Sequence, residues 1–265
     1  MLTELNRIQQ TIAHIEENFY REIPSREVEE IACYSYRNFQ RVFMKVFGET
    51  LSGFQKRLRL ENAYKKLLYT TDQISAIALA VGYANLQSFS KAFHKAYGIS
   101  PAKARKEKNK IFSPLTEQGN AAIEYEIVRK KSMTVFVKGI KTKNYHNGDI
   151  NALWEHIEAQ TGLSSGYGII IDQPLITNAA YCRYEAALTT QPTEEGFRKK
   201  TIFGKKYVCF VHQGSFDQLL ATYGTFYRFW LTTKPFLLDH SPVIEEYLIS
   251  ETREHTTYIY FPLHA

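Results

Sequence analysis

Residues 77–101 read IALAVGYANLQSFSKAFHKAYGISP, and this stretch decides the fold of the first part of the chain. Ile77, Leu79, Ala80 and Val81 supply the apolar side of a short helix. Gly82 follows, where a tight turn needs a residue that tolerates positive φ. Asn85 is a good N-cap, and Phe89, Ala92, Phe93 and Ala96 then recur at helical spacing. Gln87, Ser88, Lys91 and Lys95 share the opposite face. A polar, basic outer face on the second helix of a helix-turn-helix is what major-groove reading requires, although an ordinary helical hairpin has the same apolar pattern.

A second copy of the pattern lies about fifty residues upstream, and a supersecondary unit repeated at fixed offset is rarely accidental. There Ile31, Ala32, Tyr34 and Ser35 lead into Phe39, Phe43, Phe47 and Gly48, echoing Ile77, Ala78, Tyr83, Asn85, Phe89, Phe93, Tyr97 and Gly98. Ser35 caps a helix whose inward residues are expected to be Phe39, Val42, Phe43 and Val46. Arg37, Gln40, Arg41 and Met44 then form one outward stripe, flanked by Tyr36 and Lys45. Arg can bridge guanine O6 and N7, and Gln can pair with adenine N6 and N7, so the stripe has base-reading chemistry; a solvated helix face has the same composition. Between the two copies, Leu51 to Tyr69 reads as one long helix, a rod that would fix their separation at the ~34 Å between successive major grooves. Lys56, Arg57 and Arg59 on that rod are candidates for phosphate contacts. Upstream of it all, Leu5, Ile8, Ile12, Ile15 and Phe19 mark an amphipathic first helix rather than a signal peptide.

Charge follows the same division. Residues 1–110 hold 18 Lys and Arg against 11 Asp and Glu, a net of +7, while the remainder holds 15 against 16, a net of −1. Such lopsidedness suits a first part that meets a polyanion. No apolar run reaches the ~18–20 residues of a membrane span, so no membrane partner is expected. Cys33, Cys182 and Cys209 stand far apart without metal-like spacing, which argues against a disulfide framework or zinc site and fits a reducing cytoplasm. No cofactor-binding pattern is present.

Residues 5–106 resemble the DNA-binding domain of the AraC family of bacterial transcription regulators. The resemblance rests on the first helix-turn-helix, on RLRLENAYKKLL within the long helix, on the D-x-I-x-x-I-A-x-x-x-G-Y pattern from Asp72 to Tyr83, and on F-x-K-A-Y-G-I-S-P from Phe93 to Pro101. It implies two recognition helices, Tyr36–Lys45 and Leu86–Lys95, the first making the firmer base contacts. It also implies promoter DNA and RNA polymerase as partners. The second helix departs from the pattern in carrying Leu86, Gln87 and His94 with few Arg.

The domain is expected to span 1–107, followed by a linker over 108–122, whose polar texture includes Pro114 and Gly119. Residues 123–265 change texture. Strands are predicted at Glu124–Arg129, Met133–Ile140, Tyr167–Ile171, Asn178–Glu185, Lys206–His212 and Thr256–Pro262, with an extended region near Val243–Ser250. Helices are predicted at Asn151–Thr161 and Phe216–Leu231. Strand–helix–strand–strand, twice, suggests a pseudo-symmetric α+β domain with a cleft between its halves. The fold class is therefore an all-α double helix-turn-helix followed by an α+β (βαββ)2 domain.

Three groups converge in that second domain: Tyr207 to Phe216, the stripe Tyr223, Phe226, Tyr227 and Trp230, and Glu245 set among apolar neighbours after Pro242. Aromatic walls around a partly buried carboxylate make a site for a lipophilic cation; an aromatic stripe at helical spacing also serves as plain core. Residues 123–263 resemble the GyrI-like effector-binding domain of Rob-type and multidrug-sensing regulators. The matching pieces are Asn151-Ala-Leu-Trp154, Val208 to Phe216, Tyr227-x-x-Trp230-Leu and Pro242-x-x-Glu245-x-Tyr247. This implies a small-molecule effector, with Glu245 as ligand carboxylate and Trp154, Tyr167, Phe210, Trp230 and Tyr247 as pocket aromatics. Glu246 points the other way if its segment is extended. The expected function is a sequence-specific transcription regulator that senses a small lipophilic, optionally cationic ligand and is not an enzyme. The competing readings are a small-molecule hydrolase using Glu245 and Tyr247, and a protein-binding module.

Overall fold

In the computed structural model, residues 4–117, 123–162, 166–249 and 255–264 are described. The chain divides into two compact units, Met1–Lys106 and Glu107–Ala265.

The first unit is helical: α1 (Glu4–Glu17), α2 (Ser25–Ala32), α3 (Tyr36–Phe47), α4 (Leu51–Tyr69), α5 (Ile74–Ala80), α6 (Leu86–Tyr97) and α7 (Pro101–Lys106). α3 and α6 are built on one frame. Ser35 Oγ accepts the Asn38 amide and Asn85 Oδ1 accepts the Ser88 amide, so each helix starts on a side-chain cap. Gly48 and Gly98 end them in the left-handed region, each at φ 72°. Phe39 and Phe43 in α3, and Phe89 and Phe93 in α6, are fully buried. Phe43 stacks on Phe47 at 4.4 Å, and Phe93 meets Tyr97 at 4.7 Å. Val46 and Leu79, expected inward, are instead exposed, because the Phe rings fill the narrow seam and leave no room for a wider apolar stripe. Ala96 is exposed for the same reason. The side chain of Leu5 lies outside the described residues.

α4 supports both helix pairs. Leu58, Leu60, Ala63, Leu67 and Leu68 are buried along it. Arg59 donates from Nε to the Phe19 carbonyl (2.7 Å), from Nη2 to the Arg21 carbonyl (2.9 Å) and from Nη1 to the Gly82 carbonyl (3.0 Å). One guanidinium thereby ties the loop after α1 to the turn after α5. Gly82 sits at φ 88°, and a Cβ there would overlap the Tyr20 carbonyl, so this turn requires glycine for both conformation and close approach.

The second unit opens with α8 (Lys108–Thr116), followed by β1 (Glu126–Arg129), β2 (Met133–Lys141), α9 (Asn147–Thr161), β3 (Gly166–Ile170), β4 (Arg183–Leu188), β5 (Arg198–Ile202), β6 (Lys206–Gln213), α10 (Leu219–Thr233), β7 (Val243–Ile249) and β8 (His255–Pro262). The strands form one antiparallel sheet in the order β1-β6-β8-β7-β3-β4-β2-β5. Residues 108–116 are thus helical rather than linker; of the expected linker, 118–122 lies outside the described residues. The Phe112 ring stacks on Tyr227 at 4.5 Å, and Arg228 of α10 donates to the Thr116 carbonyl at 2.6 Å. Burial of Phe112 and Leu115 overrides the local preference against Pro114. β5 is a strand that the sequence pattern did not predict.

Strand alternation sorts the sheet residues onto two faces. One face meets α9 and α10 and carries Tyr184, Phe210, Glu245, Tyr247 and Phe261. The opposite face carries Val135, Val137, Ile169, Ala187, Ile202, Tyr207, Cys209, Ile244 and Tyr260 in one buried cluster. No helix of the described residues is long and apolar enough to cross a membrane.

Candidate functional site

In the first unit the candidate interface is the outer faces of α3 and α6. Arg37, Gln40, Arg41, Met44 and Lys45 are all exposed on α3. Arg41 Nη2 donates to Asn38 Oδ1 at 2.8 Å, which holds the guanidinium along the helix face. Tyr36 is half-buried, and its amide donates to Glu29 Oε1 at 2.7 Å, anchoring the start of α3 to α2. On α6, Gln87, Ser88, Lys91 and Lys95 are exposed, while Asn85 is engaged as the cap.

Of the phosphate candidates on α4, Lys56 is exposed but Arg57 is not free to act as one. Its guanidinium pairs with Glu49 at 2.6 Å and Glu61 at 3.1 Å, and it lies over the Phe54 ring at 5.2 Å. Glu61 is buried, and a buried carboxylate is stabilised by a counter-charge held this close. Arg57 is therefore corrected to an internal ion pair, and Arg59 to the tie between two loops described above.

In the second unit the candidate site is a buried polar cluster centred on Glu245 of β7. The Tyr223 hydroxyl on α10 donates to Glu245 Oε1 at 2.6 Å, and the Tyr247 hydroxyl donates to Oε2. Tyr184 lies 3.0 Å from the Tyr247 hydroxyl, and Trp154 Nε1 donates to the Tyr184 hydroxyl at 2.8 Å. Because Tyr247 spends its proton on the carboxylate, Tyr184 must donate to Tyr247. The bonds then run in one direction, Trp154 to Tyr184 to Tyr247 to Glu245, and polarise one another toward the negative charge. The Trp154 and Phe216 rings each meet Tyr247 edge-on at 5.6 Å. Gly168, paired with Glu245 across β3 and β7, leaves room for these hydroxyls: a Cβ there would come within 2.7 Å of the Tyr184 oxygen. Burial pushes the Glu245 carboxyl above its ordinary pKa, and the Tyr223 and Tyr247 donors pull it back only in part.

The predicted pocket residues divide three ways. Trp154, Glu245 and Tyr247 come together. Tyr167 does not: strand alternation sets it on the opposite sheet face, where its hydroxyl donates to Glu246 at 3.0 Å. Phe210 and Trp230 are corrected to core. Phe210 stacks between Phe226 and Phe261 at 4.7 and 5.7 Å and meets the cluster at the edge of Tyr223. Trp230 is turned toward α8, with Nε1 donating to the Phe236 carbonyl at 3.0 Å and Lys108 Nζ 4.7 Å from its ring. Sequence reasoning left Tyr184 and Gly168 out of the site, took Phe216 as the end of the Tyr207–Phe216 group, and saw Tyr223 only as part of a helical stripe. The usable signal was the two-residue period of β4, which sets Tyr184 on the Glu245 face. His212 is structural: Nε2 donates to the Ser215 carbonyl at 3.0 Å, which leaves Nδ1 to accept from Thr222 at 2.8 Å. Among the described residues, no group of His, Cys, Asp or Glu could hold a metal ion.

Comparison with known proteins bears on both units. Residues 29–107 match a family model described as a helix-turn-helix domain, and residues 123–264 match one described as a GyrI-like small molecule binding domain. Among similar proteins, the uncharacterized HTH-type transcriptional regulator YbfP of Bacillus subtilis is 27% identical over 53% of this chain and 48% of its own length. The HTH-type transcriptional activator RhaS of Mannheimia succiniciproducens is 33% identical over 36% of each chain. The chain thus spans about half or less of the length of these relatives. A solved structure of a putative bacterial transcription regulation protein from Staphylococcus aureus covers 54% of this chain and 100% of its own at 16% identity, with a TM-score of 0.40. The second match takes in more than half of the 265 residues, so the chain belongs to the GyrI-like family and carries an AraC-type helix-turn-helix domain ahead of its GyrI-like domain.

Proposed function

We propose that the protein is a sequence-specific transcription regulator that reads promoter DNA with α3 and α6 and binds a small lipophilic molecule beside Glu245. The observation that carries the DNA reading is the shared frame of the two helices. Cap, paired Phe and terminal glycine recur in both and leave Arg37, Gln40 and Arg41, and then Gln87, Ser88 and Lys91, facing out. α3 has the guanidinium groups suited to guanine, so it carries most of the base discrimination, and α6 adds polar and phosphate contacts. Relatives bearing the name transcriptional regulator or activator support this reading, with RNA polymerase as a further partner. The recurrence of strand, helix, strand, strand in β2-α9-β3-β4 and β6-α10-β7-β8 supports two related halves meeting where β3 pairs with β7.

For the second unit, a buried carboxylate ringed by Tyr and Trp favours a cation with an apolar body. Benzyltrimethylammonium and its neutral isostere neopentylbenzene test this directly. Glu245→Gln should weaken the cation at least tenfold and leave the neutral compound within about twofold, the difference being the Coulombic attraction that only the cation has for the carboxylate. Equal affinity of wild type and variant for the cation would remove the ligand from Glu245. DNA reading is tested by footprinting on promoter fragments selected by the protein itself. Protection of two patches about one helical turn apart is expected, and a single short patch would leave α6 without a role.

A further inference from the structure

The sheet face away from α9 and α10 holds a second carboxylate, Glu246, and its surroundings differ from those of Glu245. Tyr167 donates to one oxygen at 3.0 Å and Tyr260 to the other at 2.7 Å. Phe203 meets Tyr167, Tyr207 and Tyr260 edge-on at 5.7, 5.4 and 5.5 Å. Lys130 sends its ammonium into this box. Nζ lies 4.5 Å from the centre of the Tyr260 ring, 5.5 Å from that of Phe203 and 3.4 Å from Glu246 Oε2.

Carboxylate plus two aromatic faces is the chemistry that recognises an alkylammonium ion. Two features set this apart from an ordinary internal ion pair. The box is held without the lysine, since both Glu246 oxygens are already bonded to tyrosines on β3 and β8, and Phe203 is locked against three rings. Phe203 even adopts φ 65°, a left-handed conformation that a bulky residue resists and that the surrounding rings must over-determine. Lys130, by contrast, reaches in from the turn between β1 and β2, with 35% of its side chain exposed, and its ion pair is long. Holding that flexible stem in place loses rotamer entropy for a contact of modest strength.

We propose that Glu246, Tyr167, Tyr260 and Phe203 form a second ligand site, for small alkylammonium ions, and that Lys130 occupies it as a tethered competitor. A free amine binds by displacing the Lys130 ammonium, which swings to solvent on its turn. The site is distinct from the Glu245 cluster because successive residues of β7 face opposite sides of the sheet.

Ligand-observed NMR titration of n-butylammonium chloride against the full chain tests this. Lys130→Ala removes the competitor and should tighten binding at least tenfold over wild type. Adding Glu246→Gln to Lys130→Ala should abolish the gain. Lys130→Gln, which keeps the stem but not the charge, should also bind more tightly than wild type and serves if the alanine variant melts early. Binding by both Lys130 variants no tighter than by wild type would reduce the box to an internal ion pair. A gain kept when Glu246→Gln is added would move the amine out of this box. Either result overturns the proposal.

Discussion

Glu245 is an acid held where water cannot stabilise its charge, and this has a sign that can be measured. Burial raises its pKa in the folded protein, so the native state binds the proton more tightly than the unfolded chain, where Glu titrates near about 4.3. Stability is undiminished by this group below that pH and falls as pH rises through it toward the raised native value. Glu245→Gln cannot titrate. Unfolding free energies from urea melts should therefore shift in the variant's favour, relative to wild type, as pH rises above about 4.3. A difference that stays flat above that pH would mean the tyrosine donors fully offset burial. Arg41 is the matching residue in the first unit. Its guanidinium is exposed and steadied by Asn38, so Arg41→Ala should weaken binding to the chosen promoter by roughly 1–3 kcal/mol while sparing random DNA. Equal losses on both would make it a phosphate contact.

At the scale of elements, α4 separates two kinds of basic residue that look alike in sequence. Lys56 is exposed, and Lys56→Ala should leave stability within about 0.5 kcal/mol while lowering the salt slope of DNA binding by about one. Arg57→Ala should do the reverse. It removes the Arg57 guanidinium from buried Glu61 and from Glu49, and should lower the unfolding free energy by about 3 kcal/mol. A stable Arg57→Ala protein with a reduced salt slope would restore Arg57 as a phosphate contact. The distinction was invisible in QKRLRL because Glu49, the other partner, arrives from the loop before the helix. Legibility elsewhere follows the same rule. α3 and α6 could be read directly, since Phe at helical spacing, a polar cap and a terminal glycine all agree. β5, Arg-Lys-Lys-Thr-Ile, carries no such local signal. It is a strand because it pairs with β2, and because Arg198 and Lys200 both meet buried Glu185 of β4. α8 was hidden by Pro114, and its helix depends on Tyr227 and Trp230, more than a hundred residues away in sequence. Of the Glu245 site, the carboxylate and Tyr247 were legible from a strand motif. Tyr184 and Tyr223 enter it only through sheet register and the packing of α10.

For the molecule as a whole, the question is how a ligand beside Glu245 could alter DNA binding. A ligand changes an equilibrium only by preferring one arrangement over another. α10 is the element able to register that preference, because Tyr223 bonds Glu245 and Tyr227, one turn further on, stacks on Phe112 of α8. α8 in turn follows α7 of the first unit after the single residue Glu107. On the proposed function, a cation that took over the Glu245 carboxylate would release Tyr223, and a shift of α10 would reach the start of the unit through the Phe112 ring. Phe112→Leu tests this link, since it keeps an apolar side chain but removes the ring stacking, at the moderate cost of a large-to-small core change. Promoter affinity measured by fluorescence anisotropy, with and without benzyltrimethylammonium, should change by about 5- to 150-fold in wild type, the usual size of such coupling. In Phe112→Leu the ligand should still bind, and promoter affinity without ligand should hold within about twofold, but the ligand-induced change should shrink toward none. Retention of the full response would show that coupling bypasses α8. Reciprocity supplies an independent check, because promoter DNA must alter ligand affinity by the same factor in wild type, and by the same diminished factor in the variant.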